Sequence, residues 1–108
     1  MSAWVYILRC SDVSYYTGST VDLPGRLAKH GEGYITSYTA SRLPVKLIFS
    51  QEFYTVEEAF RAERQIKGWS RAKKEALIAS NFDLLIELAK NSKLKAESNS
   101  LKNQTKSP

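Results

Sequence analysis

The chain has 108 residues, 43% of them hydrophobic and 25% charged, which is the composition of one small globular domain. No apolar run approaches the length needed to cross a bilayer, and the N-terminus has no basic segment leading into an apolar one, so neither membrane insertion nor export is expected. The formal net charge is +5, but Lys93, Lys95, Lys102 and Lys106 against Glu97 put most of that excess at the C-terminal end; the bulk charge is therefore a weak footprint of nucleic acid.

A single cysteine, Cys10, excludes an intramolecular disulfide and fits a reducing, cytoplasmic setting. It follows a strand and reads as a small apolar residue rather than a nucleophile. Residues 3–9 and 14–18 are rich in Val, Ile, Tyr and Trp, with Ser11-Asp12 between them, which is the pattern of a β-hairpin. Asp22 is a good N-cap, and Pro24 falls in a first turn where its missing N–H costs nothing. The helix they open runs to about His30 and ends at Gly31-Glu32-Gly33. Residues 34–44 are polar and Ser/Thr/Tyr-rich and read as a loop. A third strand follows over 45–53.

Thr55 and Glu58 form a capping box that opens a helix to about Lys67, stopped by Gly68. Ser70 can cap another helix through Ile78, and residues 82–89 make a last amphipathic turn or two. Beyond Asn91 almost nothing is apolar, so residues 92–108 are expected to be a disordered basic tail on a domain spanning 1–91. The order β-β-α-β-α-α implies an α+β fold: a three-stranded, mainly antiparallel sheet flanked by helices.

Glu63 is the most conspicuous candidate site residue. On a helical wheel it falls among Val56, Ala59 and Phe60, inside the stripe that should face the core, where an unpaired carboxylate is costly. Either it is half of a buried ion pair with an arginine, or the helix delivers one oxygen ligand into a cleft. Mg²⁺ is commonly held by one or two carboxylates together with water and phosphate. Arg26 and His30 are four apart, so they share a helix face bordered by Leu23 and Leu27. A guanidinium there can take two phosphate oxygens at once, although side chains at a stripe's edge often merely snorkel.

Tyr6 and Tyr16 are strand residues that would ordinarily be core aromatics. A tyrosine becomes a useful base near neutral pH only where neighbouring positive charge lowers its pKa. Arg26, a metal or a histidine could supply that. The run Arg61, Arg64, Lys67, Arg71, Lys73 and Lys74 reads from charge alone as a solvated helix face; within it Arg64 and Lys67 are the candidate nucleic-acid contacts. Zinc-type Cys/His spacing, a Gly-rich phosphate loop and a nucleophile elbow are all missing from the sequence.

At these residues the chain resembles the GIY-YIG nuclease superfamily, in particular its small single-domain bacterial members. Val5-Tyr6 stands at the first motif, with Trp4 in place of the usual glycine, and Tyr16-Thr17-Gly18 stands at the second. Asp22 to Leu27 matches the family's helix, including Arg26, with His30 at a four-residue offset. Ala59-x-x-x-Glu63 matches the metal-binding helix. The similarity covers about residues 2–80. Two departures stand out: Ser19 replaces the lysine of excision-repair relatives, and only Asn81 is available for the late asparagine of homing-enzyme relatives.

The resemblance implies metal-dependent hydrolysis of a nucleic-acid phosphodiester, DNA being favoured over RNA. Tyr6 or Tyr16 would activate water with help from His30, Arg26 would stabilise charge on the phosphate, and Glu63 would hold Mg²⁺ or Mn²⁺. The competing expectation is a nucleic-acid-binding module that keeps the fold with weak or no catalysis.

Overall fold

The computed structural model describes residues 1–89; the expected basic tail at 92–108 lies outside the described residues. Two compact units divide the chain, one covering residues 1–68 and the other beginning at Trp69. The first holds the sheet and three helices: β1 (Ala3–Arg9), β2 (Tyr15–Thr20), α1 (Leu23–Gly31), α2 (Ser37–Ala40), β3 (Lys46–Phe53) and α3 (Val56–Lys67). No helix among the described residues is long and apolar enough to cross a membrane.

The strand order is β2-β1-β3, with both pairings antiparallel, as the α+β reading requires. β1 takes the centre because its apolar residues do not alternate. Val5, Tyr6, Ile7 and Leu8 are all fully buried, as expected of a strand covered on both faces. β2 and β3 are the edges. The β1–β2 register sets Tyr6 opposite Gly18, Leu8 opposite Tyr16 and Val5 opposite Ser19. Since side chains alternate along a strand, Tyr6, Tyr16 and Gly18 share one face, while Thr17 and Ser19 belong to the other.

The helices begin where the sequence places them. Asp22 accepts the Gly25 N–H, and Thr55 and Glu58 make the reciprocal capping box. α1 closes in a Schellman motif: the Tyr34 N–H bonds the Lys29 carbonyl and the Gly33 N–H the His30 carbonyl, with Gly33 at φ +81°. Residues 34–44 differ from expectation. They contain α2, capped by the Thr36 hydroxyl on the Tyr38 N–H, because a Ser/Thr-rich segment supplies caps as readily as loops.

The core stripe of α3 also differs from the helical-wheel expectation. Ala59, Glu63 and Ile66 are buried, whereas Val56 and Phe60 are 46% and 51% exposed. α3 packs against all three strands, and its line of closest approach runs through positions 59, 63 and 66. Positions 56 and 60 fall to one side of that line.

In the second unit α4 (Arg71–Ile78) is capped by the Ser70 hydroxyl on the Lys73 N–H, and residues 82–89 are helical, opened by the Asn81 side chain on the Leu84 N–H.

One packing constraint in the hairpin is unusually sharp. A Cβ on Gly18 would stand 2.5 Å from the Tyr6 hydroxyl oxygen and 2.7 Å from the ring carbon bearing it. The ring thus covers a residue with no side chain, which is how aromatics stabilise strand glycines. Gly18→Ala should overpack this contact and cost about 1–3 kcal/mol, measured by urea unfolding. A loss under about 0.5 kcal/mol, within the range of a surface change, would contradict it.

Candidate active site

The Tyr6 phenol lies above β2 rather than above its own strand, since Gly18 is the residue it covers. Its hydroxyl is 2.9 Å from Nε2 of His30, and the other ring nitrogen, Nδ1, is 3.0 Å from Oγ1 of Thr39. α1 supplies the histidine and α2 the threonine; both are fully buried. The Tyr16 ring packs on this group, 6.4 Å from the Tyr6 ring and 5.2 Å, edge-on, from His30. Beyond it Tyr38 stands 6.1 Å away, covered by the Arg42 guanidinium, which also pairs with Asp12 at 2.9 Å. The two tyrosines differ in access. Tyr6 is sealed, whereas Tyr16 is only half-buried and is the phenol on the solvent side.

Burial dominates the electrostatics. It pushes the Tyr6 phenol up to about 12; the adjacent Arg26 guanidinium pulls the other way, and Tyr16 and Glu63 add to the rise. The expectation that Arg26 and a histidine would make a strand tyrosine more acidic is therefore reversed for Tyr6, because desolvation of the phenolate outweighs one cation. Burial, and secondarily Arg26, holds His30 below the ordinary histidine value, so its imidazole is neutral near pH 7.

Ser19 joins the charged half of the site. Its backbone carbonyl accepts from the Arg26 guanidinium at 3.4 Å, and its hydroxyl donates to Oε1 of Glu63. Oε2 of Glu63 is held by Lys67 Nζ at 2.7 Å, an i,i+4 pair whose lysine side chain is 50% exposed. The ion pair therefore exists, but with a half-solvated lysine rather than a buried arginine. Glu63 meets Ser19 from the Val5 face of the sheet while the tyrosines occupy the other, and its charge still reaches Tyr6. Arg64 lies apart, its guanidinium 5.7 Å from the exposed Phe60 ring.

Among the described residues no three His, Cys, Asp or Glu side chains gather as a protein-only metal cage would need. One carboxylate nonetheless suits a hydrated Mg²⁺ or Mn²⁺ that takes its remaining ligands from water and phosphate. Lys67 would have to yield Oε2. Its ammonium is half in solvent, so it can swing away, although the carboxylate it leaves is buried. The donor set fits such an ion.

Residues 2–76 match the GIY-YIG catalytic domain. The chain belongs to the GIY-YIG family. Among its relatives, a UPF0213 protein of Streptococcus pneumoniae is 47% identical over 81 residues, covering 75% of this chain and 82% of that one. Another from Halobacterium salinarum is 48% identical over 73 residues, covering 68% and 95%. Solution structures agree. The UPF0213 protein BH0048 from Bacillus halodurans is 44% identical over 73% of this chain and 84% of its own, with a TM-score of 0.50. The E. faecalis protein EF2693 is 36% identical over 78% and 88%, with a TM-score of 0.53. Their names give no substrate.

Sequence reasoning singled out Tyr6, Tyr16, Arg26, His30 and Glu63, and this GIY-YIG domain brings them around one strand. It missed Thr39 and the linking role of Ser19. Ser19 had been noted only as an absent lysine, and Thr39 sat in a segment read as loop.

The buried histidine makes the domain acid-sensitive. The unfolded chain binds a proton near pH 6.5 while folded His30 resists it, so its contribution is full above that value and lost as pH falls. The urea midpoint should decline between about pH 7 and about pH 5; a flat profile would contradict a buried neutral imidazole. Tyr6 acts oppositely, contributing fully below pH 10.0 and losing its contribution as pH rises toward about 12. In an absorbance titration one of the six tyrosines should resist ionisation until the fold opens.

Proposed function

We propose that this domain hydrolyses phosphodiester bonds of nucleic acid, DNA in preference to RNA, with Mg²⁺ or Mn²⁺ held at Glu63. One observation carries the reading: Arg26 from α1 and Glu63 from α3 both bond Ser19 of the edge strand, whose neighbouring positions carry Tyr16 and face Tyr6. A hydrolase of phosphodiesters needs a cation for the phosphate, an oxygen to take the proton of water and a hard ligand for a divalent ion, and these residue types supply all three.

Arg26 binds the non-bridging phosphate oxygens through its planar fork. Tyr16, the tyrosine with access to solvent, orients the attacking water and, having given up its own proton to solvent, receives the water's proton as a phenolate. Tyr6 and His30 stand behind it, out of reach of substrate. A divalent ion at Glu63, when bound, would supply charge neutralisation at the phosphate and a more acidic water. Lys67, displaced from Glu63, and Arg64 on the same helix add positive charge for the flanking backbone.

The second reading, a nucleic-acid-binding module, is favoured by one feature: both Glu63 oxygens are already engaged, by Ser19 and Lys67.

The deciding experiment is a cleavage panel of duplex, nicked, branched and single-stranded DNA and RNA with Mg²⁺ and Mn²⁺, using wild type, Arg26→Ala and Glu63→Gln. Arg26→Ala should lower kcat by about 10²–10³-fold. Glu63→Gln should abolish metal-dependent cleavage while costing under about 1 kcal/mol of stability, since no buried cation is stranded. Binding by all three proteins with cleavage by none would establish the module instead.

A further inference from the structure

Phe60 stands on the helix that carries Glu63, yet its ring is 51% exposed while Ala59, Glu63 and Ile66 are buried. At about 100° per residue, Phe60, Arg64 and Lys67 fall together on the flank of α3 that adjoins Glu63. Two contacts agree with that placement. The Arg64 guanidinium lies 5.7 Å from the centre of the Phe60 ring, and Lys67 Nζ lies 2.7 Å from Oε2 of Glu63. Val56, one turn before Phe60 and 46% exposed, extends the apolar surface.

A lone exposed apolar side chain needs no explanation. Phe60 is not alone: an aromatic face, two cations and the candidate metal-holding carboxylate share one side of one helix. A half-exposed phenylalanine also forgoes much of the burial that makes aromatics useful in a core. What such a surface suits is a nucleic-acid strand. Bases stack on aromatic rings whatever their identity, a nearby arginine adds to the stack, and lysine and arginine take the adjoining phosphates. Glu57, one turn before Phe60 and exposed, is the acidic neighbour, so the strand's phosphates belong on the Arg64 and Lys67 side.

We infer that Phe60 is a stacking platform for an unpaired nucleobase, that of the nucleotide beside the phosphate taken by Arg26 and Glu63. This deepens the hydrolytic reading and rests on it for the identity of that phosphate. Phe60 and Glu63 are three positions apart, which sets their Cβ atoms about 5–6 Å from each other on neighbouring turns. One nucleotide covers that spacing between its base and its phosphate. A base can lie on Phe60 only when it has left the duplex stack, and leaving costs least where the base is already unpaired. The substrate class is therefore DNA with an unpaired nucleotide next to the cleaved bond: single strands, flaps and junctions ahead of continuous duplex.

The test is binding of the full chain to a short mixed-sequence single strand and to the duplex of the same sequence, with Ca²⁺ in place of Mg²⁺ to hold back cleavage. Phe60→Ala should weaken single-strand binding by roughly tenfold and duplex binding by less than about twofold, the difference being the lost stack. Phe60→Tyr keeps the ring and should bind as wild type. Phe60→Leu keeps the apolar bulk without a π face and should bind as Phe60→Ala does. In wild type the Phe60 ring protons should move upfield as the single strand is added.

Wild-type affinity in Phe60→Leu, equal losses on single strand and duplex, or unmoved Phe60 ring signals would each overturn the inference. Should Phe60→Ala fail to fold, the Leu and Tyr variants and the ring signals still decide it. Binding of no nucleic acid would also overturn it, whereas the hydrolytic reading is judged separately by the cleavage panel with Arg26→Ala and Glu63→Gln. Cleavage with an intact preference for unpaired DNA in Phe60→Ala would sink this inference and leave that reading standing.

Discussion

Tyr6 and Gly18 face each other across the β1–β2 ladder, and the phenol lies so close to the glycine that no Cβ fits between them. That contact fixes more than a register. It carries the Tyr6 oxygen off its own strand and over β2, where α1 can meet it with His30 and Arg26. A larger residue at position 18 would lift the ring and break the bond to His30. The glycine of the second motif is therefore explained by the tyrosine of the first, as a steric requirement between paired strands rather than as a turn.

From this contact the molecule divides its polar groups by solvation. Tyr6, His30 and Thr39 are sealed and neutral, each hydrogen-bonded, which is the condition under which buried polar groups are tolerated. Arg26, Glu63 and Lys67 gather around Ser19 on the edge strand, with the Glu63 carboxylate buried and the Lys67 side chain half in solvent. Ser19 stands between the sets, its backbone taking Arg26 and its hydroxyl taking Glu63. Where excision-repair relatives are expected to carry a lysine, this chain has a hydroxyl. The nearest cation to Glu63 comes instead from its own helix, as Lys67.

Much of this was legible. The three strands, the Asp22, Thr55–Glu58 and Ser70 caps and the burial of Glu63 follow from local chemistry, which a sequence displays directly. Other features depended on contacts between distant segments. Glu63 meets Ser19 across 44 positions, and no periodicity encodes that. The helical wheel put Val56 and Phe60 in the core because it counts apolar residues without knowing on which side the sheet lies. The Ser/Thr-rich stretch before β3 looked like loop because the same hydroxyls that cap α2 also make turns. Thr39 was lost with it, although its hydroxyl meets the buried histidine. The sign of the Tyr6 shift was out of reach as well, since it depends on desolvation set by packing.

The central claim is that Glu63 and Arg26 frame one metal-assisted phosphate site at the edge of β2. It is tested most directly by adding Mn²⁺ to ¹⁵N-labelled protein and mapping paramagnetic broadening over the backbone amides. The account predicts broadening centred on Ser19 and Glu63, extending to Arg26 and Lys67 and lost in Glu63→Gln. Broadening centred on other exposed carboxylates such as Glu57 or Glu52, or unchanged by Glu63→Gln, would contradict it.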